Sequence, residues 1–175
     1  MLGVNKGEVK LDPPSEDWKR LYKKEQQLLH TIIGNDIVEL QHIGSTSIQQ
    51  ISAKPIIDIL IGVDDLSRIE HFDETKLNNH GYYQLSKVHV EGKRVFAKFS
   101  NLEKLTKTHI LHVVRYQGLL WNQLTYFRDY MNDNREKAKE YETLKQELAR
   151  KHPHDERSYT IEKKKFVDGI IRDIN

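Results

Sequence analysis

The chain has no cysteine among its 175 residues, which excludes disulfides and thiolate metal sites. It has no apolar run near the roughly 18 residues of a membrane-spanning helix, and no N-terminal apolar segment of the kind that directs secretion. Those two absences point to a cytoplasmic protein with no membrane partner. An excess of either charge is missing too. Lysine plus arginine number 28 against 26 aspartate plus glutamate, a formal net charge of +2, so there is no strong nucleic-acid signal. There is no internal repeat and no low-complexity tract. What is present is 37% hydrophobic and 31% charged residues, enough to bury a core and keep a polar surface. The length suits one domain, 1–175, with a sheet core over 1–117 and a helical segment over 118–175 packed on it.

The stretch His42–Val63, HIGSTSIQQISAKPIIDILIGV, organises the rest. Val38–Ile43 is apolar and β-branched enough to be a strand. Gly44-Ser45-Thr46-Ser47 is a small-residue turn, and Ile56–Val63 is a second strand interrupted by one charge, Asp58. A lone carboxylate in such a run costs several kcal/mol, on the order of the price of any unpaired buried charge, so it needs a cation, a metal or a solvent-facing position.

Around this stretch, residues 1–7 read as a loose tail and 8–11 as a short edge strand. Asp12-Pro13-Pro14-Ser15 breaks the chain. Trp18, Leu21, Tyr22, Leu28, Leu29 and Ile32 then recur with helical period, predicting a helix over 16–33 that Gly34 stops. Glu25 falls on that stripe, either at its edge or as partner to a buried cation or a metal. Asp64-Asp65 or Ser67 is expected to cap a helix to about Asn79. Strands over 82–90 and 94–99 flank a hairpin turn at Glu91-Gly92-Lys93. Thr108–Arg115 is apolar enough for a central strand, so five or six strands in a mixed sheet are expected.

Beyond Gly118 the pattern is helical. Leu120, Leu124, Phe127 and Met131 form one stripe, and Ala138, Tyr141, Leu144 and Leu148 a second. Asp133-Asn134-Arg135-Glu136 looks like a capping box between them. His152-Pro153-His154 ends the second helix. Asp155 caps a third, with Tyr159, Phe166, Val167, Ile170 and Ile171 facing inward and Lys163 on the same stripe.

Several residues carry chemistry. The Gly44-Ser45 turn could let a phosphate approach the backbone while Asp58 holds a divalent ion, or it could simply join two strands. Lys54 could bind phosphate, pair with Asp58 or be solvated. His42 could touch a ligand or hydrogen-bond its strand neighbours. His109 and His112 lie three apart and so point to opposite faces of a regular strand, which prevents both from ligating one ion. His112 is favoured for the Asp58 side because it interrupts the Ile110/Val114 face. Arg128-Asp129 sits on a stripe edge, beside Lys145 among the helical charges. Lys163 needs to snorkel or find an anion, while the rest of Lys163-Lys164-Lys165 reads as a solvated face.

The run HIGSTSIQQISAKPIIDILIGV resembles the signature of the GrpB family, H-x-G-S-T-[SA] followed by a loop and K-P-x-I-D-I. THILHVV, FRDYM, YETLKQELA and YTIEKKKF resemble later blocks of that family in the same order, so the resemblance covers nearly the whole chain. It implies an α+β fold of nucleotidyltransferase (polymerase-β-like) type. In that superfamily carboxylates near a Gly-Ser turn hold two divalent ions, and a nucleoside monophosphate passes from a triphosphate to an acceptor. GrpB-like domains also occur joined to dephospho-coenzyme A kinases, a hint of a nucleotide or coenzyme context.

The resemblance implies that Asp58 and His112 hold a divalent ion, Mg or Mn, with His112 as ligand or general base. Gly44, Ser45 and Thr46 would bind the triphosphate, His42 would contact the ligand, and Lys54, Arg128 and Lys163 would offset phosphate charge. The sequence departs from the superfamily's D-x-D pair. Asp58 fits the second aspartate, but Ile56 occupies the first place, and the later strand offers His112 instead of a third carboxylate. Glu39 and Glu25 are substitutes from elsewhere in the chain, but nothing in the sequence places them there. The expected function is therefore a nucleotidyltransferase-like protein that binds a nucleotide or other phosphate-bearing small molecule and transfers a nucleoside monophosphate. The alternative is a non-enzymatic nucleotide- or metabolite-binding module with a degenerate site.

Overall fold

The computed structural model describes residues 1–172; the last three positions of the expected helical segment lie outside the described residues. The first helix, α1, spans Asp17–Ile33 and buries Trp18, Tyr22, Glu25, Leu29 and Ile33, residues three or four apart along one face. Strand β1 is Glu39–Ile43 and β2 is Ile57–Val63. A 3-10 turn at Ser45–Ser47 follows β1. A short helix, α2 (Glu74–Asn79), leads to β3 (Tyr82–Gln84), β4 (Lys93–Asn101) and β5 (Thr106–Arg115). Three helices close the chain: α3 (Leu119–Asp133), α4 (Arg135–Lys151) and α5 (Glu156–Ile171).

The sheet has five strands in the order β1-β2-β5-β4-β3. Only β2 and β5 run parallel; the other neighbours are antiparallel, so the sheet is mixed as expected. Side chains alternate across it. Ile57, Ile59, Ile61, Val63, Leu111 and Val113 face α1 and pack with Trp18, Tyr22, Leu29 and Ile33. Leu60 and Val114 face the other way and pack with Ile43 and Trp121 of α3. Gly62 permits this approach, since a Cβ there would meet Trp121 and Tyr116 at 2.8 Å. Asp58 and His112 share the parity of Leu60 and Val114, so they belong to the face covered by the C-terminal helices.

The structure corrects several sequence expectations. Residues 1–7 are not a loose tail. Val4 is buried and exchanges backbone hydrogen bonds with Lys107, while Gly3 N–H donates to Pro55 O at 2.9 Å. Residues 8–11 form no strand; Asp12 instead pairs with Ala53. The helix expected to run to Asn79 is two pieces, a 3-10 turn at Leu66–His71 capped by Asp65 and then α2 capped by Asp73. Two caps of this kind compete for one segment, because each satisfies orphan N–H groups locally. The strand expected over 82–90 ends at Gln84, since Ser86–Gly92 buries no apolar face.

Asn134 does not build a capping box. Its Nδ2 donates to Tyr130 O at 2.8 Å, so its side chain closes α3, while only its carbonyl opens α4 by accepting from Ala138 N–H at 3.0 Å. Lys145, not Leu144, completes the buried face of α4 with Ala138, Tyr141 and Leu148.

Candidate functional site

The turn after β1 brings its backbone against β2. Gly44 has φ 73° and ψ −175°, a region open in practice to glycine alone. A Cβ at this position would lie 2.4 Å from Asp58 Oδ2. The carboxylate is thus seated directly on the glycine, and only the missing side chain allows it. Ser47 Oγ donates to Gly44 O at 2.6 Å and tightens the turn. Ser45 reaches the other way, its hydroxyl 3.4 Å from the Tyr141 hydroxyl of α4.

Asp58 meets His112 of β5 through Oδ1 and Nε2 at 2.9 Å. His112 Nδ1 lies 3.3 Å from Lys93 Nζ. An ammonium only donates, so Nδ1 accepts and Nε2–H donates to Asp58, which fixes a neutral tautomer. Burial opposes the Asp58 charge. The His112 hydrogen bond, with the charges of Lys163 and Lys54, outweighs it and holds the carboxyl below its usual pKa.

Lysines surround this pair. Lys54 forms an ion pair with Glu156 at 3.1 Å, and its ammonium lies 5.7 Å from the Tyr159 ring centre. Lys163 lies 5.3 Å from the same ring and, among the described residues, has no carboxylate within 4 Å. Lys145 is buried, donates to Ser52 O and lies 4.7 Å from the Tyr141 ring centre. Burial, aided by the Lys163 charge, pushes Lys145 down to about 7. Burial also lowers Lys93 and Lys163, with Asp58 pulling each back up.

The residues named from the sequence fall into two groups. Gly44, Ser45, Lys54, Asp58, His112 and Lys163 come together between the sheet and the C-terminal helices. His42, Thr46 and Arg128 do not join them. His42 stacks on Tyr22 of α1 with ring centres 4.8 Å apart, and its Nε2 lies 2.9 Å from Thr46 Oγ1. Burial pushes this imidazole down to about 4 against the pull of Asp58. Arg128 donates to Gln41 Oε1 at 2.7 Å and to His42 O at 3.0 Å. These three line a separate groove of about 790 Å³ between α1 and the edge strand β1. The reason is parity: His42 lies on the α1 face of β1, whereas Ile43 lies with Asp58.

Four members of the Asp58 cluster were missed. Lys93 reads as a hairpin corner, but the corner is Glu91-Gly92 and Lys93 already pairs in β4 opposite Val114. Glu156, Tyr141 and Tyr159 read as a helix start and as core. Only the phase of α4 and α5 against the sheet brings them in, and no sequence signal carries that phase.

The donor set does not fit a pair of divalent ions. The place of a first aspartate is held by Ile56, which is buried, and Ile110 stands opposite Asp58 on β5. Glu39 pairs with Gly62, four residues along β1 from the Ile43–Asp58 pair, or roughly 13 Å. Glu25 is on the far face of the sheet. Among the described residues no three His, Asp or Glu side chains gather as a metal site. Lys54, Lys93 and Lys163, rather than further carboxylates, act on Asp58.

The topology and the Gly-Ser turn beside a strand carboxylate define a nucleotidyltransferase-type fold of the polymerase-β kind. Poly(U) polymerase Cid1, solved with MgGTP bound, has this fold: it superposes with a TM-score of 0.52 at 12% identity, over 79% of this chain and 44% of its own. Within that class, the profile described as GrpB protein matches residues 8–173, and the chain belongs to the GrpB family. It is 59% identical over 174 residues to the glutamate-rich protein GrpB of Alkalihalophilus pseudofirmus, covering 99% of this chain and 100% of that one. The crystal structure of conserved protein GrpB from Enterococcus faecalis matches with a TM-score of 0.82 at 26% identity, over 94% of this chain and 99% of its own. No helix among the described residues is long and apolar enough to cross a membrane.

Proposed function

We propose that this protein binds a nucleotide or another phosphate-bearing small molecule at the cluster formed by Gly44, Ser45, Asp58 and the facing lysines, and that it works as a binding module. One observation carries the reading: Asp58, beside a glycine turn, lies within the electrostatic reach of Lys54, Lys93 and Lys163. A phosphate near that turn would meet three ammonium groups against two carboxylates, Asp58 and Glu156, with the Ser45 hydroxyl as a further donor. Transfer of a nucleoside monophosphate with Mg or Mn is the second reading. The nucleotidyltransferase-type fold favours it, as does the Asp58–His112 pair, which has the geometry of an oriented base.

A thermal-shift panel separates the two. It holds the four nucleoside triphosphates, coenzyme A and dephospho-coenzyme A, each with EDTA, magnesium or manganese. A ligand at about a hundred times its Kd adds roughly 2.7 kcal/mol, or about 5–10 °C for a chain of this length. A shift in EDTA supports the binding module. A shift confined to the metal-containing samples supports transfer and names the donor to assay. No shift with any member overturns both.

A further inference from the structure

Tyr159 sets the deeper question. Its side chain is wholly buried, and its hydroxyl is the one buried side-chain polar atom without a hydrogen-bond partner among the described residues. An unmet hydroxyl of this kind is costly, and sites that tolerate one are commonly completed by something else. Lys54 and Lys163 each approach the ring, at 5.7 and 5.3 Å from its centre, and burial together with the nearby Tyr141 raises its pKa. It therefore stays a neutral donor.

The surrounding charge is unbalanced in the same direction. Lys54 has Glu156 as a partner, but Lys93, Lys145 and Lys163 have no carboxylate within 4 Å among the described residues. These ammonium groups come from four different elements: the loop before β2, the start of β4, α4 and α5. No single helix face or solvated run explains why Lys54, Lys93 and Lys163 gather at Asp58, with Lys145 coupled to them through Lys163; Glu156 and Glu142 are the other carboxylates in reach. Three buried or half-buried ammonium groups and an unpartnered phenol are complementary to a compact multivalent anion.

We infer that this cluster is a polyphosphate subsite in which Lys54, Lys93, Lys145 and Lys163 take the charge-neutralising role of divalent ions, with the Tyr159 hydroxyl as a donor inside it. The inference rests on the phosphate site proposed above and adds the ligand group and the absence of a metal requirement. Asp58 then opposes anion binding through its own charge while fixing Gly44 and His112. In a metal site Asp58 would be indispensable, so the two modes demand opposite effects from one substitution.

Isothermal titration with inorganic tripolyphosphate and with ATP, each in EDTA and in excess magnesium, tests this. Tripolyphosphate is expected to bind in EDTA and to bind more weakly once magnesium occupies its oxygens. Asp58→Asn keeps the acceptor for His112 and is expected to tighten binding several-fold. Lys163→Gln and Tyr159→Phe are each expected to weaken it by about tenfold, the scale of one charge-assisted hydrogen bond. Circular dichroism confirms that each variant is folded. Binding only with magnesium present, loss of binding in Asp58→Asn, or wild-type affinity in both Lys163→Gln and Tyr159→Phe overturns the inference. Nucleotide binding that needs metal sinks it while leaving the phosphate site standing. Tripolyphosphate binding in EDTA without any response to ATP or the coenzymes upholds the subsite and removes the nucleotide reading.

Discussion

The two faces of the sheet each bury a carboxylate, and they treat it differently. On the α1 face Glu25 is 5% exposed and fully partnered. Tyr82 donates to it at 2.7 Å and Lys98 at 2.6 Å, while His109 approaches to 3.8 Å. Burial pushes His109 down to about 4, so it is neutral at pH 7 and that approach is not an ion pair. Thr108 Oγ1 lies 2.9 Å from its other ring nitrogen. Donors and acceptors close on each other, as in a cluster that pins a helix to a sheet. On the opposite face the Asp58 side chain is 25% exposed, with one direct partner, several lysines at a distance and a phenol left over. A closed network is a structural joint. An open one with excess cations is a place for something to bind.

The largest effect that would break this contrast is on stability. Glu25→Ala strands Lys98 and the Tyr82 hydroxyl, and removing one partner of a buried pair costs about 3–5 kcal/mol. That corresponds to a fall in Tm of roughly 10 °C or more for a chain of this size. Asp58→Asn retains the His112 contact and is expected to cost about 1 kcal/mol. Thermal and urea denaturation of both variants measures the difference. Equal losses would make the two carboxylates the same kind of joint.

A pH series sharpens the description of the closed face. His109 has an ordinary value of 6.5 and about 4 in the fold. Below pH 6.5 the unfolded chain takes up a proton that the folded chain refuses. Stability from this group is therefore complete above about 6.5 and lost progressively as pH falls toward 4, by about 3 kcal/mol in all. His42, lowered for the same reason, adds in the same direction. Tm measured from pH 7.5 to 4 should fall, and His109→Gln should flatten the fall. An unchanged slope in His109→Gln would mean the proton is refused elsewhere.

Gly44→Ala probes the open face. The backbone there strains any side chain, and the new Cβ would meet Asp58, so a loss of about 2–3 kcal/mol is expected. In the double variant with Asp58→Ala the steric part of that loss should vanish and the backbone part remain. Strict additivity of the two changes in a denaturation cycle would show that the glycine and the carboxylate are not in contact.

How much of this was legible depends on the range of the information needed. That Gly44 and Asp58 belong to one place was readable, because a small-residue turn and an interrupted apolar strand lie within fifteen residues; that the glycine makes room for the carboxylate rather than for a phosphate was not. His112 could be separated from His109 by strand alternation alone. The Glu25 partners come from β3, β4 and β5, so its placement on a stripe was visible and its company was not. Lys145 and Leu144 differ by one position, and a binary apolar pattern chose the leucine because a lysine is rarely buried. Its hydrogen bond to Ser52 and the Tyr141 ring reverse that preference. His42, Thr46 and Arg128 adjoin the motif in sequence or charge, yet the pleat turns His42 to the α1 side and Arg128 follows its carbonyl.

The smallest expected effect discriminates most finely between the faces. On the closed face, Tyr82→Phe removes a hydroxyl that donates to Glu25 at 2.7 Å and should cost about 1–3 kcal/mol, as for any broken bond to a buried charge. On the open face, Tyr159→Phe removes a hydroxyl that bonds to nothing among the described residues. The same chemical change should there be neutral or stabilising by up to about 1 kcal/mol in the ligand-free protein, because a desolvation cost disappears and no bond is lost. With tripolyphosphate present the order reverses, since the phenylalanine variant forfeits the ligand's stabilisation. Paired melts of the two variants, with and without tripolyphosphate, measure this directly. A Tyr159→Phe loss as large as that of Tyr82→Phe in the absence of ligand would mean the phenol already has its partner within the fold, and the open face would be closed after all.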